Sequence, residues 1–464
     1  MSQSNIEIDL FSSGDAASQV HGSEPEPTEV VTVPDFPSFR IIEHGSLYSI
    51  SLSANTNGLT HGLHRFPAKY IPQIPRWALR EFASKSSVVL DPFAGSGTTL
   101  VESRCAVDSS IGIDIDPLAR LIASAKVARY DLGRLRDLST QLLDRPPVVS
   151  LFVPMQGVVN FAHWFNEKAW RQLCGLYEGI QRLNCDAGER RFFLCVFSSI
   201  LRRVSNADDQ TQKTYVSGTL PKTPAPVMDT FRRALTRAVA GVEALHVAAR
   251  PGGRCQLING SASAIPLLDN SVDLVITSPP YVDSVDYMYN LMVEYFWLGP
   301  TLGVNTRAEF NSRRRATIGA KNPARNRTEI AKELADLVTF EDLPQYRRAA
   351  VSAYFESMAR HFFEAARVLR ESGRYVLVIG NSQASAGAIP VHDCLVRLAS
   401  NTGLSLQKAF AYRIRRHYMK FPRKGRGGII LMDWVIVLGK AKELRVPSRL
   451  PMPAVSLGKD EVAN

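Results

Sequence analysis

The chain has 464 residues, 45% of them hydrophobic, which is enough for a sizeable core plus an insertion or a second lobe. Its formal net charge of +11 favours a polyanionic partner and carries no information about fold. No run reaches the ~18 uninterrupted apolar residues of a membrane span, and residues 1–10 lack the basic-then-apolar plan of a secretion signal. The six cysteines (Cys105, Cys174, Cys185, Cys195, Cys255 and Cys394) show no Cys-x-x-Cys spacing, so neither a disulfide framework nor a zinc or other metal site is suggested. A cytoplasmic protein with reduced thiols and no membrane partner is expected.

Residues 1–38 are rich in Ser, Glu, Pro and Gly and read as a disordered tail. Next comes a patterned segment, His64-Arg65-Phe66-Pro67-Ala68-Lys69-Tyr70, with Pro72 and Pro75 delaying a helix until about residue 75. Val88, Val89 and Leu90 form a short apolar run, read as a buried strand. It ends in Asp91-Pro92-Phe93-Ala94-Gly95-Ser96-Gly97-Thr98-Thr99, whose glycines open a helix. A second strand at 111–117 ends in two acids, Asp114 and Asp116, and a second helix follows. The Gly-rich loop is not a P-loop, because no Lys follows the glycines at the required place.

Residues 131–250 break this α/β rhythm with long helical patterns at 161–183, 190–204 and 227–249. They read as a helical insertion whose polar stretch 205–215 either touches substrate or is a solvated connection. The α/β pattern resumes with strands at 255–259 and 272–277, the latter running into Thr277-Ser278-Pro279-Pro280-Tyr281. An amphipathic helix at 350–370, a strand at 374–381 and a closing antiparallel pair at 404–416 and 433–439 complete the plan. The expected fold class is α/β: a Rossmann-like, mostly parallel seven-stranded sheet with a helical insertion.

These motifs resemble those of the S-adenosylmethionine-dependent DNA amino-methyltransferases. The resemblance covers most of the chain from 58 to 440 and leaves the insertion poorly matched. Asp91 to Thr99 is similar to the family's donor-binding loop, Ser278-Pro279-Pro280-Tyr281 to its catalytic motif, and His64 to Tyr70 to its N-terminal donor-contacting segment. There Arg65 and Phe66 stand between His and Pro, where the shortest form has neither. The resemblance implies a Rossmann-like methyltransferase fold, S-adenosyl-L-methionine as cofactor and double-stranded DNA as substrate. It divides the chain into a tail (1–38), a donor-binding half (39–130), the insertion (131–250), a catalytic half with basic DNA-contact segments (251–440) and a C-terminal tail (441–464).

Elementary chemistry reads the same way. Gly95 and Gly97 let backbone approach a ligand with no Cβ between, and the helix start at Gly97, Thr98 and Thr99 favours a carboxylate. Asp91 offers an acceptor for the donor's ammonium, and Asp114, at a strand tip, for ribose hydroxyls; alternation points Asp116 elsewhere. Phe93, Ser96, Pro67, Lys69 and Tyr70 join the expected donor site. Ser261 takes the place where the family often has an Asp for the adenine amine, and it serves only as a neutral partner.

An exocyclic amine conjugated to its ring is a poor nucleophile. Ser278 Oγ and the Pro279 carbonyl are natural acceptors for its hydrogens, Pro279 and Pro280 stiffen the loop, and Tyr281 is placed to stack on a flipped base. Ser in the first motif position resembles the cytosine-N4 subgroup. Adenine-N6 methylation, RNA guanine-N2 methylation and a catalytically dead DNA-binding relative remain the alternatives. Cytosine-C5 methylation is disfavoured because no Pro-Cys nucleophile is present. Arg313, Arg314 and Arg315, with Arg415, Arg416, Arg423 and Lys424, are the expected phosphate contacts. Membership in a restriction-modification system is expected, with a cognate endonuclease as partner.

Overall fold

The computed structural model describes residues 30–50, 56–67, 69–144, 155, 161–209, 213–219, 221–282, 286–319, 328–380, 382–384, 387–414 and 432–440. In chain order the elements are β1 (Val30–Val33), β2 (Leu47–Ile50), α1 (Gln73–Phe82), β3 (Val88–Asp91), α2 (Thr98–Ala106), β4 (Ser109–Asp114) and α3 (Pro117–Val127). The insertion follows as α4 (Leu132–Asp144), α5 (Phe161–Trp164), α6 (Glu167–Gln181), α7 (Ala187–Val204) and α8 (Val227–Ala248). Then come β5 (Arg254–Asn259), β6 (Val272–Thr277), α9 (Tyr287–Asn290), α10 (Met292–Leu298), α11 (Arg307–Ala316), α12 (Thr328–Glu333), α13 (Gln345–Val368) and β7 (Leu369–Gly380). A small hairpin, β8 (Ser382–Ala384) and β9 (Gly387–Ile389), precedes α14 (Val391–Ser400), β10 (Leu404–Arg413) and β11 (Met432–Lys440).

The main sheet runs β1-β2-β10-β11-β7-β6-β3-β4-β5. Every neighbouring pair is parallel except the two that β11 makes, with β10 and with β7. The seven expected strands lie side by side, and the order reverses between β3 and β6, where the chain leaves for opposite halves of the sheet. Ligands of open α/β sheets sit at the strand C-termini beside such a reversal. Both motif loops leave from those ends.

Two more strands, β1 and β2, widen the sheet to nine on the β10 edge. This corrects the expected tail at its C-terminal end, since residues 30–33 pair with β2 and Phe36 is buried. Phe36 is buried against Tyr48, Trp77, Phe410 and Tyr412. Composition alone hid this, because one well-placed aromatic ring anchors a segment whose average hydropathy looks solvated. Residues 1–29 and 441–464, expected as tails, lie outside the described residues.

The expected insertion folds onto the sheet through α3. Phe192, Phe193 and Phe197 of α7 pack in one core with Leu118 and Ile122 of α3 and Trp297 of α10. Its helices are well started: Asp186 caps α7 in a reciprocal capping box with Glu189, and Asn166 caps α6. The polar stretch 205–215 is no mere solvated link, since Thr214 is buried and donates to the Asn290 carbonyl at 2.8 Å. Among the described residues no helix is long and apolar enough to cross a membrane.

One core residue strains this packing. Lys126 of α3 has no exposed surface, and its Nζ finds no partner among the described residues. Burial, reinforced by the charge on Lys69, pushes its pKa down to about 7. An unfolded lysine titrates near ~10.4, so the folded state binds fewer protons through the interval between. Its contribution to stability therefore rises as pH climbs from about 7 to about 10. Lys126→Met is expected to raise the thermal midpoint clearly near neutral pH and much less at about pH 10. Melting curves at the two pH values check this, and a larger gain at the alkaline end would refute it.

Candidate active site

The loop between β3 and α2 is shaped by two left-handed glycines, Gly95 at φ 48° and Gly97 at φ 79°. Gly97 begins α2, which has no side-chain cap, so its first N–H groups are left for a ligand. A Cβ on Gly97 would press on Ala123 at 3.0 Å, and one on Gly95 would meet the Phe66 ring at 3.3 Å. Phe66 thus lies over the loop that it was expected to serve. Ser96 Oγ is buried with no partner among the described residues. An uncapped helix start, a Cβ-free cradle and an orphaned hydroxyl fit the carboxylated nucleoside that the sequence calls for.

Asp114 closes the loop from β4. Its Oδ2 accepts the Gly95 N–H at 2.7 Å and its Oδ1 the Asp116 N–H at 2.8 Å. Burial, with the charge of Asp116, raises its pKa to about 7. Asp116 does turn elsewhere, as strand alternation requires. It caps α3 by accepting from Leu118 and Ala119, and it takes the Tyr295 hydroxyl.

Asp91 has a task the sequence did not suggest. It is 1% exposed and points into the seam between β3 and β6. Oδ2 accepts from Thr99 Oγ1 at 2.6 Å, while Oδ1 accepts from Thr277 Oγ1 at 2.6 Å and the Phe93 N–H at 3.2 Å. Burial raises its pKa to about 6 against these three hydrogen bonds. Three of its about four acceptor positions are engaged within the protein, so Asp91 also serves as a joint between β3, α2 and β6. Tyr70 extends the network through its hydroxyl, which bonds Thr99 Oγ1.

Lys69 and Pro67 sit in the segment that wraps this loop. Lys69 Nζ donates to the His61 carbonyl at 3.0 Å, and burial lowers its pKa. The segment is pinned to α2 by Glu102, which takes His61 Nε2 at 2.8 Å and a two-pronged Arg76 at 2.9 and 3.0 Å. Burial tends to raise the Glu102 carboxyl, but hydrogen bonds from His61 and Arg76 hold it below its usual value.

The Ser278-Pro279-Pro280-Tyr281 loop leaves β6 next to Asp91, because Thr277 is the residue before it. Tyr281, expected to stack on a base, is also anchored. Its hydroxyl donates to Asp433 Oδ1 at 2.7 Å, and Tyr412 donates to Oδ2 at 2.7 Å. Tyr412 and Asp433 are cross-strand partners on β10 and β11. Asp433 is 3% exposed, and burial raises its pKa despite both tyrosines. Sequence reasoning passed over Asp433, although a lone acid at the head of an apolar strand was a usable signal.

Phe93 and Ser261 face a third region. The Phe93 ring meets the edge of His361 at 4.9 Å. His361, also unforeseen, donates Nδ1–H to the Ala262 carbonyl at 3.0 Å and accepts from Tyr375 at 2.7 Å. Burial drives its pKa to about 4, so the ring is neutral and rigidly held. Ser261 Oγ accepts the Ser263 N–H at 3.2 Å, which braces the turn after β5.

Of the expected phosphate contacts, Arg313 and Arg315 are exposed in the last turn of α11. Arg314 instead pairs with Asp286 at 3.1 Å and lies over Tyr289, tying α11 to the helix after the Ser-Pro-Pro-Tyr loop. Arg415, Arg416, Arg423 and Lys424 lie outside the described residues.

Residues 40–124, which hold the donor loop and Asp114, match the N6_N4_Mtase family, described as DNA methylase. Type II methyltransferase M.MjaII of Methanocaldococcus jannaschii is 39% identical over 85 residues, covering 18% of this chain and 16% of its own length. Type II methyltransferase M.MvaI of Kocuria varians is 23% identical over 82% of this chain and 88% of its own. Type II methyltransferase M.BsoBI of Geobacillus stearothermophilus is 22% identical over 89% of this chain and 91% of its own. Among solved structures, the rRNA methyltransferase aviRa of Streptomyces viridochromogenes aligns at 11% identity and TM-score 0.31, so the fold assignment rests on the strand order itself. The family match and the two chain-long relatives support a DNA amino-methyltransferase whose cofactor is S-adenosyl-L-methionine.

Proposed function

We propose that the protein methylates the exocyclic N4 amine of a cytosine flipped out of duplex DNA, as the modification enzyme of a restriction-modification system. The observation that carries this reading is the 2.6 Å bond from Thr277 to Asp91, which sets the Ser278 loop against the donor loop. S-adenosyl-L-methionine, when bound, supplies an electrophilic methyl group on a sulfonium. Gly95, Gly97 and the start of α2 would hold it, with Asp114 at the ribose. Ser278 Oγ and the Pro279 carbonyl accept the amine's hydrogens and turn its lone pair out of conjugation. The two prolines keep that geometry without a strong base. Arg313 and Arg315 add positive charge for the DNA backbone. Ser278, rather than Asp or Asn, favours cytosine as the target.

Incubation with methyl-labelled donor and duplex DNA, followed by hydrolysis to nucleosides, should place the label in N4-methyl-2′-deoxycytidine. Label in N6-methyladenine would overturn the choice of base while leaving the enzyme class intact, and label only in RNA would overturn the choice of polymer.

Ser278→Ala should lower turnover by about a hundredfold, the scale of one lost transition-state hydrogen bond. Donor affinity, read by titration calorimetry, should hardly move. A collapse of donor affinity would instead mean that the two loops do not divide their labour as proposed.

Asp433→Ala strands the Tyr281 and Tyr412 hydroxyls. It should cost about tenfold in kcat, equivalent to ~1.4 kcal/mol. Tyr281→Phe should reproduce most of that loss, and the two changes should combine sub-additively, as expected of contacting residues. Full additivity in the double variant would show that Asp433 does not act through Tyr281.

A further inference from the structure

A cavity lies between three distant pieces of chain: residues 64–67, Ser199 and Arg202 of α7, and Asn290, Leu291 and Glu294 of α9 and α10. One wall, Phe66, reaches the Gly-rich loop, and α9, which supplies Asn290, also carries a contact of the Ser-Pro-Pro-Tyr loop. Phe66 lies over Gly95, and Tyr287, one turn before Asn290, accepts the Tyr281 N–H at 3.4 Å.

Two buried polar atoms of its lining have no partner among the described residues, Glu294 Oε2 and His64 Nε2. Glu294 is 5% exposed and His64 3%. The tautomer of His64 follows from geometry. Nδ1 lies 2.6 Å from the Arg65 carbonyl oxygen, which only accepts, so Nδ1 carries the proton and Nε2 presents a lone pair. Burial, outweighing that hydrogen bond, drives the His64 pKa to about 3 and keeps the ring neutral. Burial raises Glu294 to about 7, opposed by a hydrogen bond from its own backbone N–H and by the charges of Arg202 and Arg65.

An unpaired buried acceptor is costly, and two beside one cavity call for a ligand with more than one N–H. The nearby guanidiniums of Arg65 and Arg202 repel a bare cation, but not an ammonium that carries its own carboxylate. Asp91, the acid expected to meet the donor's ammonium, already accepts from Phe93, Thr99 and Thr277, which leaves it about one acceptor position. We propose that this cavity seats the α-ammonium of the methyl donor, on Glu294 Oε2 and His64 Nε2. The helical insertion then completes the donor site through α7. This rests on the reading of the chain as an S-adenosyl-L-methionine enzyme.

The test compares two nucleosides that differ by the amino-acid end. S-adenosylhomocysteine carries the ammonium; 5′-methylthioadenosine lacks it. Titration calorimetry with Glu294→Gln, and with Glu294→Asp as a second variant, should show S-adenosylhomocysteine binding weakened about tenfold or more, equivalent to ~1.4 kcal/mol. Affinity for 5′-methylthioadenosine should be unchanged. Equal weakening of both nucleosides would mean a structural role and overturn the proposal. Unchanged binding of both, with a raised KM for DNA, would assign the carboxyl to the target base and also overturn it. If the unaltered protein binds neither nucleoside, the cofactor reading itself fails, a result distinct from failure of the variants alone.

Discussion

The Asp91 carboxylate is the joint on which the rest of the site depends. It sits in the seam between β3 and β6, where a charge is expensive, and it is tolerated because three donors reach it. Each donor belongs to a different working part. Phe93 and Thr99 lie in the donor loop and the helix that follows, and Thr277 precedes the Ser-Pro-Pro-Tyr loop. Any movement of one loop away from the other leaves a buried polar atom unpaired, so the two loops are held as one unit by the cost of separating them. Tyr70 brings the N-terminal segment into the same network.

A similar device recurs at the sheet's other half. Asp433 lies in a buried strand and takes hydroxyls from Tyr281 and Tyr412, so β10, β11 and the Ser-Pro-Pro-Tyr loop share one anchor. The insertion contributes a wall of another kind. Its aromatic core joins α3 and α10, and it carries Arg202 and Ser199 to the cavity beside Phe66. Hydrophobic packing positions the wall, and a few satisfied polar groups fix the register of what faces the ligand.

Most of the strands and helices were legible because short branched apolar runs ending in Gly- or Pro-rich turns leave few other readings. Strand β6 falls on the expected residues, and the reversal between β3 and β6 puts both motif loops at strand C-termini. The edge strands β1 and β2 were not legible. Their pairing with β10 is decided by long-range contact, with Phe36 reaching Trp77 and Phe410 across the fold. The structural task of Asp91 was missed for a related reason. The motif shows an acid beside a glycine loop, but only the neighbouring strand shows that Thr277 has taken one of its oxygens.

The sequence by itself determined the motif chemistry and its order along the chain: a Cβ-free turn opening a helix, an acid at the next strand's tip, and a stiff Ser-Pro-Pro-Tyr loop after a buried strand. These are local properties, set by which residues permit positive φ, which lack an N–H and which cannot face water. The tertiary structure alone decided which polar atoms are satisfied. Asp91 is engaged by Phe93, Thr99 and Thr277, Tyr281 is tied to Asp433, and Glu294 and His64 are left with open acceptors beside one cavity. Hydrogen-bond partners dozens to hundreds of residues apart are chosen by how elements pack, and packing is a property of the whole chain.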